Sequence, residues 1–230
     1  MVAERQAGYL RAMGIEVWRR RGVPPPPVAV AGIPTDADEP DDWAALQAEV
    51  AACTRCELHR TRTQTVFGVG NPAADWLIIG EAPGAEEDRR GEPFVGHAGQ
   101  LLDNMLAAIG LDRQMAYIAN LLKCRPPGNR DPQVGEVACC EPYLQRQIAL
   151  IRPRLILAVG RIAAQNLLKT DLPLKRLRGH VHPYGPLHIP VIVTYHPAYL
   201  LRTPADKRMA WEDLQFAVRV LHERAVEGGQ

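Results

Sequence analysis

Apolar residues along the chain alternate between short unbroken runs and longer segments with helical spacing. Trp76–Ile79 is a short apolar run that breaks at Gly80, and Ala116–Ala119, Leu155–Val159 and Val191–Thr194 repeat the pattern. Such runs predict strands buried on both faces. Between them lie helical patterns. Gln100–Ile109 places Leu101, Leu102, Met105, Leu106 and Ile109 along one side. A second helix is expected from Asp131-Pro132, where a proline at the first position loses no needed donor, to Ile151, with Val134, Val137, Leu144, Ile148 and Ile151 toward the core. Arg161–Leu168 and Ala205 to Ala225 complete the series. This alternation predicts a three-layer α/β/α fold around a central, mainly parallel four-stranded sheet. Ligands of such sheets sit at the carboxyl ends of the strands, which singles out Glu81, Asn120 and His196.

Before the first strand the pattern weakens. Tyr9–Arg21 fits a short helix with Leu10, Met13 and Val17 on one face; Pro24–Pro27 ends it, and the acidic, proline-containing stretch to Asp42 reads as a linker. Residues 1–42 are therefore treated as an appendage and 43–230 as the main domain. Asp41 or Asp42 is placed to cap a helix running from Trp43 toward Cys53.

At 230 residues, 47% hydrophobic and 23% charged, the chain has the composition of one soluble globular domain. Its longest apolar runs, such as Leu155–Gly160, are too short to span a membrane, and MVAERQAGYLRAM lacks the apolar core of an export signal. A cytoplasmic protein is expected. Net charge is only +1, yet from Lys169 to Arg208 seven basic residues (Lys169, Lys175, Arg176, Arg178, Arg202, Lys207, Arg208) face only Asp171 and Asp206. A local basic surface of this kind can follow phosphates.

The five cysteines are Cys53, Cys56, Cys124, Cys139 and Cys140. Cys53-x-x-Cys56 is a chelating spacing, and Cys124 with one of the adjacent pair would close a four-thiolate site joining the start of the domain to its core. Spacing alone does not separate zinc from an iron–sulfur cluster. His180, His182 and His188 have no carboxylate nearby, and no metal is expected there.

Three stretches carry chemistry. In GEAPGAEEDRRGEPFVGHAGQLL, Gly80 to Leu102, glycines let backbone amides approach a ligand, and Phe94 is one of only three phenylalanines, set where its ring can stack on a planar base. Glu86, Glu87 and Asp88 read as a solvated acidic helix start. In NLLKCRPPGNRDP, Asn120 offers donor and acceptor together, matching the adjacent carbonyl and N3–H of uracil and mismatching cytosine. In YHPAYLLR, His196 follows a strand and Leu200 lies four residues on, in a loop.

Together with the cysteine pattern, and in this order, these stretches resemble family 4 of the uracil-DNA glycosylase superfamily over residues 43 to 222. The resemblance implies a 4Fe-4S cluster held by Cys53, Cys56, Cys124 and Cys140, with Cys139 spare. It implies a partner, uracil-containing DNA, single- or double-stranded, whose uracil is flipped into a pocket of Gly80, Ala82, Phe94 and Asn120. His196 and Glu81 would be catalytic, Leu200 the wedge filling the vacated stack, and Arg178 and Arg202 candidates to hold phosphates. The best-known family of the superfamily has Asp where this chain has Ala82, which leaves Glu81 as the nearest carboxylate. Two other readings are a related group that traps uracil-DNA covalently, and a zinc-bearing nucleic-acid module. The former carries Gln after the Glu of its first turn and a basic insert after Asn, unlike Ala82 and the short KCRPPGNRDP segment here. A monomer is expected.

Overall fold

The structure, a computed structural model, describes residues 43–227; the expected helix at Tyr9–Arg21 and the rest of the appendage lie outside the described residues. Eight α-helices are described: α1 (Trp43–Ala52), α2 (Ala85–Arg90), α3 (His97–Ala108), α4 (Val134–Ile151), α5 (Arg161–Leu168), α6 (Leu174–Leu177), α7 (Pro197–Arg202) and α8 (Lys207–Glu227). The strands are β1 (Val69–Gly70), β2 (Trp76–Gly80), β3 (Ala116–Asn120), β4 (Leu155–Val159), β5 (His182–Tyr184) and β6 (Ile189–Thr194), in the order β1-β3-β2-β4-β6-β5.

The four apolar runs form the parallel centre, β3-β2-β4-β6, and every residue in them is buried. The sheet has six strands, not four, because β1 and β5 pair antiparallel at its two edges. Alternate residues of the central strands serve opposite layers. Ile78, Ile118, Leu157 and Ile192 pack under Leu102 and Leu106 of α3 and Leu214 and Ala217 of α8. Leu77, Ala119, Ile156 and Val193 pack under Leu144 and Ile148 of α4 and Ala164 and Leu167 of α5. That period-two division is what makes three layers.

Helix α4 starts at Val134 rather than at Pro132. Gln133 is its cap, and Glu136 Oε2 accepts the Gln133 amide at 2.9 Å. Val134, expected in the core, is 89% exposed, because that first turn points the face carrying Glu136 and Val137 inward instead. No described helix is long and apolar enough to cross a membrane.

Candidate active site

Parallel pairing brings the strand ends level: Gly80 lies beside Asn120, and Val159 beside Thr194. The segments leaving these ends build one site. Gly80 is a glycine for a steric reason, since a Cβ there would collide with Asn120 Oδ1 and stand 2.6 Å from Phe94 Cζ. Base-recognition candidates eighty to one hundred and twenty residues into the chain thus meet over one bare backbone position. Phe94 reaches it from the loop before α3, its ring 5.6 Å from that of His196 and tilted 31°.

Asn120 is 2% exposed, and its Oδ1 has no hydrogen-bond partner. A buried acceptor left open costs about 1–3 kcal/mol, so it calls for a reason. The backbone around it is tied: Leu121 N–H donates to Gly80 O at 3.0 Å and Leu122 N–H to Glu81 O at 3.1 Å.

His196 caps α7, and its Nδ1 accepts the Ala198 amide at 3.1 Å. A backbone N–H only donates, so Nδ1 is unprotonated and the proton of the neutral ring sits on Nε2. Burial, reinforced by the Arg202 cation, pushes His196 down to about 4. The ring is a neutral donor near pH 7. Gly160, at φ 100°, packs flat against it; a Cβ there would stand 3.0 Å from His196 Cβ.

Glu81 is half-buried. Burial raises it to about 7, the Asp131 carboxylate adds to the rise, and the Arg161 guanidinium opposes both. Ala82 packs against a buried cluster of Leu58, Leu122, Cys124, Val137 and Cys140.

Two expected DNA contacts are placed otherwise. Arg178 is committed to the fold: Nε and Nη2 fork onto Asp213 at 2.7 and 2.9 Å, Nη2 also meets Met209 O at 2.8 Å, and the guanidinium lies 4.5 Å over the Tyr195 ring. Its side chain is only 12% exposed, so little of it is left for a phosphate. Leu200 is 1% exposed, inside the core on the side of the sheet that carries α3. The segment is a helix, not a loop, so Pro197 and Leu200, three residues apart, share its inner face; Leu201, one step round, is 44% exposed. Arg202 is exposed and close enough for its charge to bear on His196.

Nor is the acidic stretch after Gly84 a uniformly solvated helix start. Asp88 is buried and accepts Thr63 N at 2.9 Å and Thr63 Oγ1 at 2.7 Å. Glu87 accepts three amides, from Gly84, Val95 and Gly96, at 3.0 to 3.1 Å. Only Glu86 stays at the surface, paired with Arg89 at 2.6 Å. The Gly84–Glu87 spacing is a helix-start signal that could have revealed part of this.

All five cysteines line a second cavity, with Arg55, His59, Arg62, Lys123 and Tyr143. Among the described residues no three His, Cys, Asp or Glu side chains gather tightly enough to hold a single ion; the thiols ring a space instead. Arg62 donates to Cys124 Sγ at 3.1 Å, and the Lys123 amide to Cys140 Sγ at 3.5 Å. Cys139 Sγ instead donates to Arg55 O at 3.4 Å, which requires the neutral thiol. Lys123, 1% exposed, sends Nζ to Asn120 O at 3.0 Å and Gln147 Oε1 at 2.6 Å. It therefore touches the end of β3 and borders the thiol cavity. Its place in N-x-x-K-C was visible in the sequence, its burial was not. A cavity of 730 Å³ between α4, the end of α5 and the β5 hairpin contains none of these residues.

An open acceptor, an aromatic ring and a neutral histidine meet at the carboxyl edge of an α/β/α sheet, an arrangement able to grip a planar ring that carries hydrogen-bonding groups. In agreement, the family model described as the uracil DNA glycosylase superfamily matches residues 67–215, and the chain belongs to that superfamily. Within it, the chain is 49% identical over 163 residues to a type-4 uracil-DNA glycosylase of Archaeoglobus fulgidus, covering 68% of this chain and 81% of that one. The type-4 enzymes of Sulfurisphaera tokodaii and Saccharolobus solfataricus are 40% and 38% identical, covering 76% and 81% of this chain and 83% and 89% of theirs.

Proposed function

We propose that this protein hydrolyses the N-glycosidic bond of uracil in DNA, releasing uracil and leaving an abasic site. The observation that carries the proposal is the buried, unpartnered Asn120 Oδ1. It is an acceptor aimed where uracil presents N3–H; cytosine has a bare ring nitrogen at that position and would leave two acceptors facing each other. Phe94 stacks on the flipped base, and backbone at Gly80–Ala82 closes the pocket.

As the bond between the sugar C1′ and uracil N1 breaks, its electron pair leaves with the base, so negative charge gathers on uracil and positive charge on the sugar. His196 Nε2–H donates to the departing O2. As a buried donor already held in place it stabilises the developing anion without reorganising, a contribution of about 3 kcal/mol or roughly a hundredfold in rate. Water adds to C1′, one proton staying on the new hydroxyl and the other passing through solvent to the departing uracil anion, which leaves as neutral uracil. Glu81, raised to about 7 by burial, is the carboxylate for orienting that water in its ionised form. Arg202 holds a phosphate, and Leu201, not the buried Leu200, supplies the wedge.

Cys53, Cys56, Cys124 and Cys140 would hold a 4Fe-4S cluster. The fit rests on the thiols sharing one cavity, on N–H donors aimed at Cys124 and Cys140, and on Cys139 being used as a neutral donor. When bound, the cluster supplies cross-linking between segments; the reaction uses only the groups above.

The test is incubation with uracil-containing single- and double-stranded oligonucleotides, followed by alkaline cleavage at abasic sites. Multiple turnovers with free uracil are expected, falling roughly a hundredfold in His196→Ala, with discrimination against cytosine lost in Asn120→Ala. Intact DNA in every context rejects the proposal, and a stable protein–DNA adduct without turnover favours the covalent trap.

A further inference from the structure

Phe94 holds a backbone conformation that bulky residues avoid, with φ at 53°. Such a residue persists only where its surroundings over-determine it. Here two charged side chains grip the peptide from both sides. Arg113, in the turn before β3, donates Nη2 to Pro93 O at 2.6 Å and Nη1 to Phe94 O at 3.0 Å, and Asp103 of α3 holds Nη1 at 2.8 Å. Glu87, on α2, accepts the next two amides with one oxygen, Val95 N–H at 3.0 Å and Gly96 N–H at 3.1 Å, while its other oxygen takes Gly84 N–H at 3.1 Å. Gly99 lets α3 close on the segment, since any Cβ there would collide with the Phe94 carbonyl. The carbonyls of residues 93 and 94 are thus held by a cation and the amides of 95 and 96 by an anion.

Neither Arg113 nor Glu87 is assigned a contact with the base, and the ring they aim faces Gly80 and His196. We infer that Arg113 and Glu87 are positioning residues that clamp the backbone around Phe94, so that its ring stands as a preformed platform for the flipped base. The inference rests on the proposed uracil excision for its purpose, but the clamp itself is open to measurement without it.

The first measurement is amide exchange at Val95 and Gly96. Arg113→Met should speed it at least about tenfold relative to β2 and β3 amides, as a locally loosened segment would. Unchanged exchange overturns the clamp whether or not the protein excises uracil. The second is a double-mutant cycle. In the wild-type background Arg113→Met should lower kcat/KM and weaken inhibition by free uracil, each about tenfold, the scale of one base–ring stack. Binding to abasic DNA should stay within about twofold. In the Phe94→Ala background the same change should cost less than about twofold, because no ring remains to be aimed. Equal costs in both backgrounds would show that Arg113 only supports the fold and would overturn the inference. Arg113→Lys keeps one donor and should recover part of the uracil inhibition; recovery of thermal stability without recovery of uracil inhibition counts against the clamp. A wild-type protein that leaves uracil in place, with fast exchange in Arg113→Met, would reject the function and keep the clamp.

Discussion

At the scale of single residues, burial drives the two catalytic candidates in opposite directions. His196 is lowered from near 6.5 to about 4, so the stability it contributes is full above about pH 6.5 and is lost as pH falls through 4. Glu81 is raised from near 4.5 to about 7, so its contribution is full below about pH 4.5 and is lost as pH rises through 7. The proposed chemistry asks for the form of Glu81 that the fold disfavours: an ionised carboxylate can orient water, and the protein would pay for it in stability above neutrality. Glu81→Gln should therefore raise Tm at about pH 8 and leave it nearly unchanged at about pH 4.5. It should also remove an ascending limb near pH 7 from the excision profile of the wild type. A wild-type rate flat from about pH 6 to 8 would take Glu81 out of the water-orienting role. His196 should add no limb in that range.

At the scale of elements, α7 decides which leucine is available for the proposed wedge. Its six residues put Leu200 in the core and Leu201 at the surface. Leu201→Ala should slow excision from duplex several-fold more than from single strands, where no stack needs filling, with Tm unchanged. Leu200→Ala should instead cost about 2–5 kcal/mol of stability, as for other buried leucines. Equal slowing on both substrates in Leu201→Ala would remove the wedge role. The central strands were legible in the sequence because β2, β3, β4 and β6 are apolar throughout and buried on both faces. The edge strands were not: β1 is two residues long and β5 three, with Pro183 inside it and half-buried flanks. A helix as short as α7, starting at Pro197, likewise shows too little periodicity to declare which side is buried. At the site, Gly80, Phe94, Asn120 and His196 could be named because each follows a readable strand or interrupts a glycine-rich loop. Arg113 could not, since nothing in its own neighbourhood announces that its fork reaches residues 93 and 94. Arg178 misled for the complementary reason: a basic residue in a basic stretch carries no mark of the Asp213 waiting for it thirty-five residues on.

At the scale of the whole molecule, Lys123 links the thiol cavity to the proposed base pocket. Cys53 and Cys56 follow α1, Cys124 lies just beyond β3, and Cys140 is on α4. Helix α1 is otherwise held by Leu46 and Val50 against Tyr143, by Trp43 edge-on to Phe67 and Tyr117, and by the Glu49–Arg146 ion pair. A cluster on these four thiolates would tie α1 and α4 to the segment after β3, whose residues 121 to 123 bond back to Gly80, Glu81 and Asn120. The buried Lys123 forms no ion pair with a carboxylate among the described residues; burial lowers it to about 8, and the sulfurs of Cys140 and Cys124 oppose that shift. The centre should therefore support the base pocket mechanically and electrostatically without touching substrate. Cys140→Ser should lose iron and brown colour, lower Tm by roughly 10 °C, and relax discrimination between uracil and cytosine along with rate. Cys139→Ser gives up only a thiol donating to Arg55 O, and should keep its iron, its Tm within about 2 °C and its selectivity. Iron retained in Cys140→Ser and lost in Cys139→Ser would exchange the two ligands. Iron lost with selectivity intact would show that the pocket holds its shape without the staple, and that Asn120 is positioned by the sheet alone.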